Sequence, residues 1–429
     1  MVAREGSRDP ADVERALVEA HRREWAVVLA ATAYSLRDID LAEECVQEAY
    51  ASALVAWRRD GIPNNPAAWL TTTAKRRAVD AVRRESTLRL KMPLLVESET
   101  VDDDSENGGA ISFDEEFAVP DERLRLVFLC CHPSLAPEAQ MALTLRMVCG
   151  MSTADIARAF LVPEATMAAR MTRAKHKIAA ARIPLRVPAA SELPDRLSTV
   201  LGVIYLLFTM GHTAPSGTSL VRNELSDEAL HLTRVLQDLM PDEREVRGLL
   251  ALLLVTDARR TTRVDSQMRP LRLEEQDRSQ WDQIAIDQAH ALIEDGLRVG
   301  QPGRYVLQAA IALEHAQASS YDATDWPLIL RYYDQLLEAW PSPVIALNRS
   351  VALSMVAGPE KALAQVEVLD IDGHLANYHY LPVVKADLLR RLGRMDEARR
   401  ESERAIHLTQ NESEREYLVA QLRALPLGE

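Results

Sequence analysis

Disulfides, aromatics and net positive charge are all scarce in this chain. Only four of 429 residues are cysteine and only 5% are aromatic. Four scattered cysteines do not make a disulfide framework, so a reducing compartment is expected. Cys130, Cys131, His132 and Cys149 lack a paired C-x2-C spacing, so no metal is expected there. The opening MVAREGSRDPADVERA is polar and carries no secretion leader. The most apolar run, Val200–Met210, is far shorter than the ~20 residues that cross a bilayer. A soluble, cytoplasmic chain with no membrane partner is therefore expected. Alternating strand patterns are also scarce, and alanine, leucine, arginine and glutamate dominate, so the fold class is all-α. At this length two or three domains are expected. Lysine and arginine total 50 against 64 acids, a formal charge of −14, which excludes a protein uniformly coated for nucleic acid.

Against that acidic background, Ser152–Ile178 (STADIARAFLVPEATMAARMTRAKHKI) is locally basic. It reads as two helices around a short turn. Ser152 can cap the first helix, with Asp155 reaching back as in a capping box. Pro163 and Glu164 suit the start of the second. There Met167, Met171, Ala174 and Ile178 recur at helical spacing and face a core. The remaining face can enter a major groove, with Thr166, Ala168, Ala169 and Arg170 nearest the bases and Arg173, Lys175 and His176 placed for phosphates. A solvated basic face on an ordinary helical hairpin is the plain alternative.

A second unit lies upstream. In DIDLAEECVQEAYASALVAW, Leu41, Cys45, Val46, Ala49, Ala53 and Ala56 form an apolar stripe, and Glu43, Glu44, Gln47 and Glu48 the opposite face. A Pro/Asn turn follows, then a basic helix with Lys75, Arg76, Arg77, Arg83 and Arg84. Trp57 and Trp69 bracket the turn; aromatic stacking beside basic groups can hold bases freed from a duplex, although each tryptophan taken singly suits a core anchor better. Between the units, ESETVDDDSENGGAISFDEE has too few apolar groups to bury and reads as a flexible acidic linker.

Those two motifs, in that order, resemble regions 2 and 4 of bacterial extracytoplasmic-function sigma factors over roughly residues 10–183, with Thr166, Arg170, Arg173 and Ala174 at the family's positions. Ala168 and Ala169 stand where many relatives carry polar residues, which bears on the bases read. The resemblance implies a non-enzymatic factor without cofactor that binds RNA polymerase core, at the β′ clamp and β flap, and promoter DNA. Asp40, Glu43, Glu44, Gln47 and Glu48 would dock on polymerase. Trp57, Ile62, Asn64, Asn65, Trp69, Lys75, Arg76, Arg77, Asp80 and Arg83 would engage a melted −10 element. Thr166, Ala168, Ala169, Arg170, Arg173, Lys175 and His176 would read the −35 element. The implied domains are region 2 over 10–86, the linker over 87–120, region 4 over 121–183 and a helical regulatory domain over 184–429.

The C-terminal domain reads as helices near 195–210, 225–239, 244–257, 281–298, 303–318, 326–339, 343–356, 359–369, 379–392 and 395–408. Ala386, Leu389, Gly393, Ala398 and Ala405 have tetratricopeptide-like spacing, and this half resembles the sigma subgroup with such an extension. It could regulate in cis or take a regulatory protein. Asp257, Arg259, Arg260, Glu275, Asp277, Arg278 and Asp282, with Trp281, form a charged band read as a polar network fixing loops rather than as a catalytic site. Two other classes remain: a helix-turn-helix regulator with a sensory helical domain, and a helical-repeat scaffold or hydrolase.

Overall fold

The computed structural model describes residues 9–36, 38–91, 121–160, 162–180, 193–213, 221–266, 269–298 and 300–425. The expected acidic linker lies outside these from residue 92 onward, as do residues 181–192. Among the described residues the fold is all-α, with eighteen α-helices. Extended pairing is limited there to one bridge between Val264 and Pro270. The chain divides into two compact units, Met1–Val203 and Ile204–Glu429.

In the first unit α1 (Pro10–Leu36), α2 (Ile39–Asp60) and α3 (Pro66–Lys91) each pack on the other two. The expected stripe of α2 is buried at Cys45, Val46, Ala49 and Ala53, joined by Ala42 and Trp57. Asp38 caps the helix, its carboxylate accepting from the amides of Asp40 and Leu41 at 2.9 and 3.0 Å. Gly61, at φ +91°, ends it by donating to the Trp57 carbonyl at 3.0 Å. Sequence patterning did not single out α1, which lines this core with Val13, Ala20, Trp25, Val28 and Leu29.

Four shorter helices follow: α4 (Glu122–Cys130), α5 (Pro137–Cys149), α6 (Thr153–Ala159) and α7 (Glu164–Ala180). Both α4 and α5 pack on α1. The buried indole of Trp25 donates to the Met147 carbonyl at 3.0 Å. Gly150 turns the chain after α5 at φ +61°, where a Cβ would stand 2.7 Å from the His21 ring. Ser152 caps α6, its hydroxyl accepting from the Asp155 amide at 3.1 Å. The same hydroxyl donates to the Asp155 carboxylate at 2.8 Å, so Asp155 answers the cap through the side chain of Ser152.

The division between the units falls within α8 (Leu193–His212). This helix is longer than the run Val200–Met210 and, by length and composition, could cross a membrane. Its side chains behave otherwise: Val200, Leu201, Ile204, Leu207 and Phe208 are core residues.

The second unit continues with α9 (Asn223–Leu239), α10 (Arg244–Asp257), α11 (Gln283–Arg298), α12 (Arg304–Gln317), α13 (Trp326–Ala339), α14 (Pro343–Ala357), α15 (Pro359–Asp372), α16 (Tyr380–Arg391), α17 (Met395–Leu408) and α18 (Glu412–Ala424). From α9 to α18, helices consecutive in the chain pack on one another, with α10 also on α12 and α14 on α16. This is a helical-repeat architecture, in which each pair buries a face its neighbour completes. Pro343 and Pro359 open their helices, where no amide donor is needed, and Pro327 sits in the first turn of α13. Ala386, Leu389, Ala398 and Ala405 are buried as their spacing predicts. Gly393, at φ +76°, makes the turn between α16 and α17, followed by an Arg394 amide to Leu389 carbonyl bond of 2.9 Å.

Candidate nucleic-acid interface

The second helix of the hairpin, α7, has the two faces its sequence predicts. Met167, Met171, Ala174 and Ile178 are buried. Thr166, Ala168, Ala169, Arg173 and His176 are exposed and Arg170 is half-buried, so a continuous stripe Thr166–Ala169–Arg170–Arg173 faces solvent. The Arg173 Nε donates to the Ala169 carbonyl at 3.2 Å, which keeps its stem along the helix. A small, cationic, solvent-facing stripe of this kind fits a major groove.

Lys175 lies elsewhere. Its ammonium donates to Asp40 at 2.6 Å and to Glu43 at 2.9 Å, both at the start of α2. Glu43, read from periodicity as outward-facing, is buried at 7% exposure. Its other oxygen accepts from the Arg146 guanidinium of α5 at 3.0–3.1 Å. A carboxylate can be buried there because each oxygen meets a cation. Burial opposes the charge on Lys175, but the bonds to Asp40 and Glu43 outweigh it and hold its pKa above the ordinary lysine value. One cluster thus joins two sets that the sequence assigned to different partners. Arg146, which completes it, was not singled out, because one arginine in the apolar run of α5 carries no pattern.

The other polar positions of this α2 face stay at the surface: Asp40, Glu44 and Gln47 are exposed and Glu48 is half-buried. Glu48 pairs with Arg77 of α3 at 3.5 Å, and Arg77 also donates to the Ser52 hydroxyl at 3.1 Å. Arg77 therefore fastens α3 to α2 as well as facing solvent.

The Pro/Asn loop is shaped by its own side chains. Asn65 caps α3, its side-chain oxygen accepting from the Ala68 amide at 3.0 Å. Ile62 is half-buried, while Asn64 and Asn65 are exposed. Trp57 is fully buried, and Trp69 stands edge-on to it, 5.8 Å between ring centroids, keeping part of its own face open. Of the two tryptophans it is Trp69 that borders the loop surface, with Trp57 as its support. On α3, Arg76, Asp80 and Arg83 are exposed and Lys75 is half-buried. Val79 and Val82 are exposed among them, two apolar positions on the basic face that sequence reasoning passed over.

The cysteines do not converge on a ligand set. Cys130 and Cys131 are buried, and burial pushes the Cys131 thiol up to about 12, so it is neutral. Among the described residues no three metal-binding side chains cluster.

In the second unit the charged band resolves into separate local fasteners. Arg260 bridges Asp257 at 2.7 Å and Asp227 at 2.6 Å. Asp277 accepts from the Ser279 amide at 3.0 Å, and Asp282 from the Ala285 amide at 3.0 Å at the start of α11. The Trp281 indole donates to the Thr262 hydroxyl at 2.9 Å. Arg278 donates to the carbonyls of His315 and Ala318 at 2.6 and 2.9 Å.

Comparison with known proteins adds three family matches. Residues 17–87 match the family described as Sigma-70 region 2, and residues 125–178 that described as Sigma-70, region 4. Residues 196–297 match a family of unknown function (DUF6596). An uncharacterized protein of Rhizobium meliloti (strain 1021) is 42% identical over 410 residues, covering 96% of this chain and 95% of its own length. The crystal structure of yeast Tom70 is similar over 97% of this chain and 86% of that one, at 11% identity and a TM-score of 0.32, too low to bear on the fold.

Proposed function

This chain belongs to the family of the Rhizobium meliloti relative and is a sigma factor with sigma-70 regions 2 and 4, and from that premise we propose that it is of the extracytoplasmic-function type, with its helical-repeat domain regulating initiation in cis. Residues 88–124 alone separate the two sigma segments, too few for another domain of their size, which supports that type. It works in the cytoplasm, where polymerase and promoter are.

Polymerase core binds the acidic face of α2, through Asp40, Glu43, Glu44, Gln47 and Glu48. The loop at Ile62–Asn65, with Trp69 and the basic face of α3, takes the unstacked −10 strand. The solvent stripe of α7 reads the −35 duplex, where Arg170 is the side chain placed to reach a base edge. No bond is made or broken by this chain; its contribution is binding energy and register.

One observation supports a regulated step within the sigma unit. Asp40 and Glu43 are occupied by Lys175 and Arg146 of the region 4 helices. A carboxylate held by two internal cations is not available to a basic partner surface. Binding to polymerase on these residues therefore requires region 4 to leave region 2, and the C-terminal domain biases that step.

Run-off transcription with purified core polymerase tests the reading. Core-dependent initiation at selected promoters supports it, whereas tight duplex binding with no core requirement favours a helix-turn-helix regulator. Truncation at about residue 186 tests the gating. Unchanged promoter activity and polymerase affinity in the truncated chain overturn it.

A further inference from the structure

The helical-repeat unit holds an unpaired cation beside a cavity. The cavity, about 240 Å³, is enclosed mainly by α10, α12, α13 and α14. Half of its lining is aliphatic, and Tyr205, Thr256, Arg259, Gln308, His315, Tyr333 and Asn348 supply the polar positions, with no carboxylate among them. Arg259 is half-buried, and no hydrogen bond or ion pair engages its guanidinium among the described residues. The nearest acid in sequence, Asp257, is taken by Arg260.

The surroundings raise the positive potential further. Arg278 approaches from the loop before α11, stacked on Trp281 at 4.6 Å, with one guanidinium nitrogen, Nη2, buried and unpartnered. The Nδ1 of His315 is likewise buried without a partner. Burial, together with Arg278, lowers the pKa of Arg259 to about 10, and burial with both arginines lowers that of His315 to about 4. Like charges are thus gathered at a partly dehydrated site whose lining holds no carboxylate among the described residues. Such an arrangement is costly unless something else supplies the anion.

We propose that this cavity is a binding site for a small carboxylate with an apolar body, held by Arg259. The planar guanidinium fork matches a carboxylate in bidentate fashion. The aliphatic walls of α10 and α12 suit an apolar body and disfavour a fully hydrated inorganic anion. The volume lies below the ~300–1,000 Å³ of drug-sized sites, so the ligand is of small-metabolite size. The neutral donors Thr256, Gln308 and Asn348 are placed to fix its orientation.

The full-length protein is titrated with benzoate, isovalerate, pyruvate and inorganic phosphate, reading Tm and tryptophan fluorescence. At least one of the three carboxylates should raise Tm saturably. Arg259→Gln should weaken that response at least tenfold, while its own unliganded Tm equals or exceeds that of the parent, because a half-buried, unpaired charge has been removed. The exposed-site control Arg331→Gln should respond as the parent does. Ala312→Leu, which fills the cavity from α12 without touching any charge, should also abolish the response and serves if Arg259→Gln does not fold. A Tm insensitive to all three carboxylates, a response to phosphate alone, or a full response in Arg259→Gln or Ala312→Leu overturns the assignment.

Discussion

Replacing Glu43 by glutamine removes the charge at the centre of the cluster between α2, α5 and α7 while keeping its volume. Glu43 accepts from two cations, Arg146 at 3.0 Å and Lys175 at 2.9 Å. A hydrogen bond to a charged group contributes about 1.5–3 kcal/mol. The two cations keep 28% and 19% of their side-chain exposure, so water relieves part of their loss. The expected cost of Glu43→Gln to the docking of α5 and α7 on α1 and α2 is therefore about 2 kcal/mol, roughly 30-fold in the opening equilibrium. Lys175→Met keeps the apolar stem and leaves Glu43 with Arg146, so about 1 kcal/mol is expected. The two changes share one interaction, and the double variant should cost less than their sum by about 1 kcal/mol. Native-state hydrogen exchange of the intact chain reads this at the amides of α5 and α7, with α12 as internal reference. Additivity within ~0.3 kcal/mol, or equal effects at α12, refutes the idea that this cluster is what closes region 4 on region 2.

Four further outcomes are expected. Arg170→Ala should weaken binding to −35 duplex by about 1–3 kcal/mol in a fluorescence anisotropy titration, since one base-reading side chain is lost. Trp69→Ala should impair run-off initiation on duplex promoters and recover on a template pre-melted at −10, because stacking on a freed base is what it supplies. Gly150→Ala should lower Tm, with about 1–2 kcal/mol from the left-handed backbone alone and more from the 2.7 Å approach to His21. Acid should destabilise the second unit. His315 has its pKa lowered to about 4 and His212 lies well below the usual 6.5, so the unfolded chain binds protons that the folded one refuses. Stability should fall between about pH 6.5 and 4, and His315→Gln should flatten that slope in urea titrations by up to about 3 kcal/mol.

The helices were legible where a single chain segment carries its own instructions. The stripe Met167–Met171–Ala174–Ile178 faces the core because 3.6-residue periodicity alone decides it. The bounds of α10, α13 and α17 coincide with those read from capping and periodicity. Local rules mislead where the partner is distant. Glu43 was placed outside because a charge in an amphipathic helix ordinarily seeks water. It is inside because Arg146 and Lys175, 103 and 132 residues away, reach it. Arg259 poses the converse problem: in sequence it is one more charge in an alternating band, and only packing reveals that Asp257, its nearest acid in the chain, is taken by Arg260. The helices α1 and α18 were missed for lack of a distinctive motif, although both form.

The bond from Trp25 to the Met147 carbonyl joins residues 122 positions apart. At about 5–20 residues per second of synthesis, α1 emerges from the ribosome roughly 6–25 seconds before its partner exists. During that interval the indole and the neighbouring His21 and Tyr50 rings form an uncovered aromatic patch on an otherwise finished three-helix bundle. The nascent chain is therefore most prone to chaperone capture, or to mispairing with its neighbours on a polysome, after the third helix has formed and before the fifth has been made.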